Sequence, residues 1–184
     1  MSDQKNISKH HQQGLTLIEL IATLAITGIL LAYGAPAMHD FYANNRLSIQ
    51  TQQFGQLLIF ARSEAIKRNE NVVVCTADES NQCNKTKQWN NQWLVFEDKN
   101  HNTEWDGKET RLKRINMSDN PVNIQSSRKS VITFYSHGKS PGSNATFTFC
   151  DSRGEDFARA VILSNSGRYR IGNKKSSGET LTCD

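Results

Sequence analysis

From Leu20 to Met38 the chain carries no charged residue: LIATLAITGILLAYGAPAM. At 1.5 Å rise per residue, some twenty apolar helical residues reach about 30 Å, the thickness of a bilayer's hydrocarbon core. Extended upstream through Leu15 to Ile18, the run contains a single acid, Glu19. Lys5 and Lys9 precede it, so the N-terminal end is expected on the cytoplasmic side and the bulk of the chain across the membrane. A secretory signal peptide has a shorter apolar core with its small-residue cleavage site on the far side. Here the run is long, and Gly14 stands on the near side. A plain anchor gives no reason for Glu19, because an acid in a membrane helix is costly and calls for a partner.

Beyond Pro36 the pattern becomes amphipathic. Phe54, Leu57, Leu58, Ala61 and Ala65 recur on one helical face, with Arg62, Lys67 and Arg68 largely off it. Cations suit the last turn of a helix, so the helix is expected to end near Arg68 or Asn69. Leu15 to Arg68 would then be about 80 Å long. That stripe is read as covering the chain's own core. After Asn71 the apolar runs are short and β-branched or aromatic, which predicts strands at Val72–Thr76, Gln92–Glu97, Thr110–Ile115, Val131–Tyr135, Ala145–Cys150 and Arg159–Ser164. Turn-prone stretches at Asp106-Gly107, Asn120-Pro121, Ser140-Pro141-Gly142 and Ser152-Arg153-Gly154 separate them. The predicted fold class is α+β, a long N-terminal helix laid on one antiparallel sheet or two small ones. Its segments are a leader 1–14, a membrane half-helix 15–38, an amphipathic half-helix 39–69 and a β domain 70–184. With only 36% hydrophobic residues, concentrated near the N-terminus, the core of that domain must be modest.

Four cysteines in a part of the chain expected outside the cytoplasm suit disulfides. Of the three pairings they allow, Cys75–Cys83 would close a short polar loop, and Cys150–Cys183 would tie down the C-terminal tail; these two are expected. No CxxC occurs, so no zinc site is predicted. With the cysteines paired, no cysteine nucleophile remains. His137 reads as a turn residue, and no glycine-rich loop suits a nucleotide. Neither a catalytic site nor a cofactor is expected. Asp98, Asn100, Asn102, Glu104, Asp106 and Glu109 have the 1, 3, 5, 7, 9, 12 spacing of a calcium loop. Thr103, however, stands where such loops place glycine, and strands rather than helices flank the segment. The sequence reading therefore favours a solvated hairpin loop, with calcium kept as the alternative and no metal assigned.

Net charge is +4, of which the first fourteen residues supply +1 (Lys5 and Lys9 against Asp3). The remaining +3 says less than its placement. In Gly167-Arg168-Tyr169-Arg170, followed by Lys174-Lys175, an extended backbone would point both arginines to one side, about 6.6 Å apart. That matches about two phosphate steps of a DNA strand, and forked guanidinium groups suit phosphate oxygens. Gly167 would allow close backbone approach, and Tyr169 would either pack inward or stack on a base. The competing reading is a charged edge strand that resists aggregation.

The string Gly14-Leu15-Thr16-Leu17-Ile18-Glu19-Leu20 resembles the type III signal of type IV pilins and pseudopilins. The resemblance implies cleavage after Gly14 by a prepilin peptidase and N-methylation of Leu15, which stands where phenylalanine is usual. Glu19 then occupies the fifth mature position and Pro36 the twenty-second, as in that family. Glu19 of one subunit would pair with the freed amine of a neighbour and set the register of assembly. Pro36 would loosen the helix. Phe60 to Arg68, Asn71 to Cys75, Trp93 to Phe96 and Gly167 to Arg170 are similar to the GspH/FimT branch. FimT-type minor pilins carry a Gly-Arg-x-Arg motif implicated in capturing DNA during natural transformation. The implied protein is a single-pass inner-membrane minor pilin with pilin subunits and double-stranded DNA as partners. Gly167, Arg168, Tyr169, Arg170, Lys174 and Lys175 would be its DNA-binding residues. The alternative is an assembly-priming minor pilin or type II secretion pseudopilin without DNA binding. Mass spectrometry of the membrane form should show a chain beginning at Leu15, and Gly14→Glu should block processing; an intact Met1 start in piliated cells would overturn the leader assignment.

Overall fold

The structure, a computed structural model, describes residues 16–78, 82–84, 86–117 and 121–183. The leader, with Gly14 and Leu15, lies outside the described residues, as does Asn120 of one expected turn. Two units are distinct, Met1–Phe41 and Tyr42–Asp184.

In the first unit, helix α1 (Leu17–Arg68) begins with Glu19 in its first turn. There the acid meets the positive end of the helix dipole, and its N–H donates to Thr16 Oγ1 at 3.4 Å. Thr23 and Thr27 donate their hydroxyls to the carbonyls of Leu20 (2.8 Å) and Thr23 (2.7 Å), so these polar groups need no water. Leu17, Ile18, Leu24, Ile29, Leu30 and Leu31 are all exposed, an apolar surface suited to lipid or to other helices. The helix runs through Pro36.

In the second unit, α1 buries Leu47, Thr51, Phe54, Gly55, Leu57, Leu58, Ala61 and Ala65, the expected stripe extended upstream by two turns. It ends in a Schellman motif. Asn69, at φ 56°, donates its N–H to Ile66 O, and Glu70 donates to Ala65 O, both at 3.3 Å. In its last turns Arg68 grips Glu64 at 2.6 Å, a hydrogen bond that holds the Glu64 carboxyl below the usual carboxylate range.

Eight strands follow: β1 Val72–Ala77, β2 Gln92–Glu97, β3 Arg111–Ile115, β4 Asn123–Ser126, β5 Val131–Phe134, β6 Ala145–Cys150, β7 Arg159–Leu163 and β8 Tyr169–Gly172. They form two four-stranded antiparallel sheets ordered β3-β2-β1-β5 and β4-β6-β7-β8. The six predicted strands are present within a residue at each end. β4 and β8 go beyond the six predicted strands: each is four residues long, β4 has a single apolar side chain, Ile124, and β8 has two, Tyr169 and Ile171.

The inner faces of both sheets and the helix stripe share one core. Phe54 sits at its centre, with ring centroids 5.5 Å from Trp89, 5.0 Å from Trp93, 4.7 Å from Phe147 and 5.8 Å from Phe149. Both indoles find carbonyls, Trp89 Nε1 at Lys129 O (3.0 Å) and Trp93 Nε1 at Trp89 O (2.9 Å), as buried N–H groups require.

Each outer face carries a smaller apolar cluster under an irregular segment. Val73, Cys75, Ala77, Leu94 and Phe96 lie outside the first sheet, with Cys83 and Trp105 against them. Cys150, Ala158, Ala160, Ile162 and Leu181 lie outside the second, with Cys183. Disulfides join Cys75 to Cys83 and Cys150 to Cys183, with Cα separations of 5.7 and 5.9 Å. Phe54→Ala should remove the shared contact of all three layers and cost about 3–5 kcal/mol. Urea unfolding of the disulfide-intact protein would measure it, and a loss near that of an exposed Ile59→Ala would contradict this packing.

Candidate nucleic-acid interface

Strands β7 and β8 form a hairpin in which Leu163 faces Tyr169 and Ile162 faces Arg170. The turn is the three-residue kind that ends on a left-handed glycine. Ser164 N–H donates to Arg168 O, and Gly167 N–H donates to Ser164 O, both at 2.9 Å. Gly167 has φ +74°, and a Cβ there would stand 2.3 Å from the Gly138 carbonyl oxygen. Only glycine fits, and it is buried in this contact, so its backbone approaches another loop rather than a ligand. Asn165 O accepts from Ser140 N–H at 3.0 Å, and its Oδ1 accepts from Gly142 N–H at 3.1 Å. The tip of the hairpin is thereby tied to the β5–β6 loop.

Strand alternation then divides the motif. Tyr169 turns inward: a Cβ at Gly55 on α1 would stand 2.5 Å from its ring, and Tyr169 packs against the main core. Of the two placements considered for Tyr169, the inward one is found, and the residue also borders the cleft that Arg168 and Arg170 line. Arg168 and Arg170 are exposed and belong to the opposite, outer face. Arg170 Nη1 lies 3.5 Å from the Cβ position of Gly172, beside Ile162.

Both arginines line a cleft of about 690 Å³. One wall is the C-terminal tail, with Lys175, Ser176 and Ser177; the other includes Ser127 and Arg128. The tail is held there by Cys150–Cys183 and buried Leu181, and it folds back on itself where Gly178 N–H donates to Lys175 O at 3.0 Å. Four cations and no carboxylate line the cleft. A concave surface of one sign concentrates oppositely charged ligands. Lys174 bridges to Thr180 and is not among the lining residues. Sequence reasoning missed Arg128. It lies forty residues from the motif, and the pairing of Ser127 N–H with Thr146 O at 2.9 Å is what carries it beside the cleft. The cations of β3 make no comparable surface. Lys113 lies over the Phe60 ring, 5.0 Å from its centroid, and Arg114 Nε donates to Gln92 Oε1 at 2.6 Å, on opposite faces of an edge strand.

The family model for type II transport protein GspH matches residues 50–167. The chain belongs to the GspH family. The matched stretch closes at Gly167, so Arg168, Arg170 and the tail of this GspH-family protein lie just past it. A prokaryotic N-terminal methylation motif matches residues 9–34, which span the expected cleavage point. Crystal structures of the type IV minor pilin FimU of Pseudomonas aeruginosa share the fold. One, in space group P21, has 18% identity and a TM-score of 0.54, covering 75% of this chain and 98% of FimU. A second, in space group P65, has 16% identity and a TM-score of 0.51, covering 70% and 95%. No curated protein matches the sequence. The GspH-family chain thus has a type IV pilin-like fold with an N-terminal helix suited to a membrane.

Gly167→Ala should destabilise the protein by more than about 1 kcal/mol, since alanine resists a positive φ and meets the Gly138 carbonyl. Thermal unfolding checks this: an unchanged melting temperature would contradict the turn geometry.

Proposed function

We propose that this chain is a minor pilin of a type IV pilus that captures extracellular double-stranded DNA for uptake in natural transformation. The observation that carries the reading is the carboxylate-free cleft that presents Arg128, Arg168, Arg170 and Lys175 on one sheet face. Guanidinium forks and an ammonium group contact phosphates rather than base edges, so binding is non-specific in sequence and strongly salt-dependent. The leader is removed by prepilin peptidase, Leu15 is methylated, and the helix rests in the inner membrane before joining a fibre of other pilin subunits. In that step Glu19 pairs with a neighbour's amine, since an acid in lipid needs a partner. Arg168 and Arg170 make the principal DNA contacts. Gly167 and Tyr169 position them, and Lys174 is a peripheral charge.

The second reading is an assembly-priming minor pilin or type II secretion pseudopilin that binds no nucleic acid. The GspH match favours it, because that match ends before the arginines.

Fluorescence anisotropy of the detergent-solubilised chain with labelled duplex DNA separates the two. With four cations engaged, the log–log salt slope should be about −3.6. Arg168→Gln and Arg170→Gln should each flatten it by about 0.9, and the double change should nearly abolish binding without altering the melting temperature. Lys174→Gln should matter least. Binding that survives the double change would overturn the assignment of the site. A parent chain with no salt-sensitive binding would favour the assembly-only pilin.

A further inference from the structure

The segment between β2 and β3 has the sequence Asp98-Lys-Asn100-His-Asn102-Thr-Glu104-Trp-Asp106-Gly-Lys-Glu109. Its oxygen donors fall at positions 1, 3, 5, 7, 9 and 12 of a calcium loop. Thr103, in place of glycine at position 6, weighed against that role. The backbone answers the objection: Thr103 has φ 61° and His101 φ 60°, so the chain makes the left-handed turn that glycine ordinarily provides.

That turn aims the loop's N–H groups inward. Asp98 is 1% exposed, and its two carboxylate oxygens accept from Asn102 N–H and Thr103 N–H, each at 3.1 Å. Glu109, the twelfth position, is 9% exposed. Its Oε1 accepts from Lys99 N–H at 3.1 Å, which turns the carboxylate into the loop. Its Oε2 is buried and makes no well-aligned hydrogen bond, with the Asn100 N–H as the other donor near the carboxylate. A buried carboxylate oxygen without such a bond is expensive. Asp98 and Asp106 raise that cost, because their negative charges act on the same group. Trp105 anchors the loop to the outer face of the first sheet, its ring centroid 5.7 Å from that of Phe96.

We propose that Asp98–Glu109 is a calcium site. Asp98, Asn100, Asn102, the Glu104 carbonyl, Asp106 and Glu109 are its donors, with Glu109 binding through both oxygens. Oxygen-only donors in a twelve-residue loop with a two-oxygen glutamate suit calcium better than magnesium, which prefers a rigid octahedron and keeps its waters. Among the described residues no three His, Cys, Asp or Glu side chains already stand at metal-ligand spacing. Three of the donors here are amide or peptide oxygens, and loop N–H groups hold the carboxylates of Asp98 and Asp106 in place, so cation binding requires the carboxylates to close in. Three carboxylates and two neutral side-chain amides place the affinity at the weak end, a Kd of about 10⁻⁴–10⁻³ M, as in extracellular modules. Bound calcium would compensate the Glu109 charge and lock the loop over Phe96. This site is independent of the DNA-capture reading.

The test uses the full chain in detergent with its disulfides intact, after removal of divalent ions by chelation. Terbium should luminesce when excited through Trp105 and be displaced by calcium, but not by the same concentration of magnesium. Calcium should also raise the melting temperature. Glu109→Gln should weaken calcium at least tenfold, and Thr103→Gly should keep or tighten it. The Thr103→Gly arm stands even if Glu109→Gln fails to fold. Trp105→Phe should lose sensitised emission while keeping the calcium-dependent melting shift. A parent chain with no calcium-displaceable terbium and no calcium-specific melting shift would overturn the site, as would undiminished calcium binding by a folded Glu109→Gln chain.

Discussion

The outer unit depends on one buried side chain, Phe54. Its ring meets Trp93 of one sheet, Phe147 and Phe149 of the other, and Trp89 between them. Neither four-stranded sheet has a second layer without the helix, and the lower half of the helix has no partner for its apolar stripe without the sheets. Burial of large aromatic rings in edge-to-face contact provides both area and direction. Next to Phe54, Gly55 leaves the space that Tyr169 occupies. The residue that centres the core is thus adjacent to the one that seats the β8 hairpin, and the pose of Arg168 and Arg170 follows from helix packing more than one hundred residues upstream.

Both sheets face the same difficulty on their outer sides. β1 and β2 are buried on both faces, as is β6, yet no second α-helix covers them among the described residues. Irregular segments do so instead, and such segments bury little area for the chain entropy they lose. A disulfide fastens each cover at one point, Cys75–Cys83 for one and Cys150–Cys183 for the other. The second bridge also has a functional consequence, since the tail it holds forms a wall of the basic cleft.

Much of this was legible in the chain itself. The apolar run reads as a helix long enough to cross a membrane, because lipid imposes a length and forbids unsatisfied backbone, and α1 has that length and composition. The stripe from Phe54 to Ala65 and six of the strands follow from periodicity. The two cystine pairs match those expected from the lengths of the loops they close. Less legible were β4, whose one fully apolar side chain, Ile124, gives no alternation, and β8, four residues running from a turn to a glycine that read equally well as loop. Register with β6 and β7 makes them strands, and register is a property of the partner.

Local period and side-chain chemistry, which need no partner, were enough to mark the helix, six of the eight strands and the residues that carry charge. The tertiary structure alone decided which cations share a surface. It joined Arg128 to Arg168, Arg170 and Lys175, left Lys174 outside and separated the cations of β3. It also decided how Gly167, Tyr169 and Thr103 are placed. Each is set by a φ angle or by a neighbour distant in sequence, the Gly138 carbonyl for Gly167 and Gly55 for Tyr169. Such close approaches depend on how distant segments meet, and no pattern within a single segment encodes them.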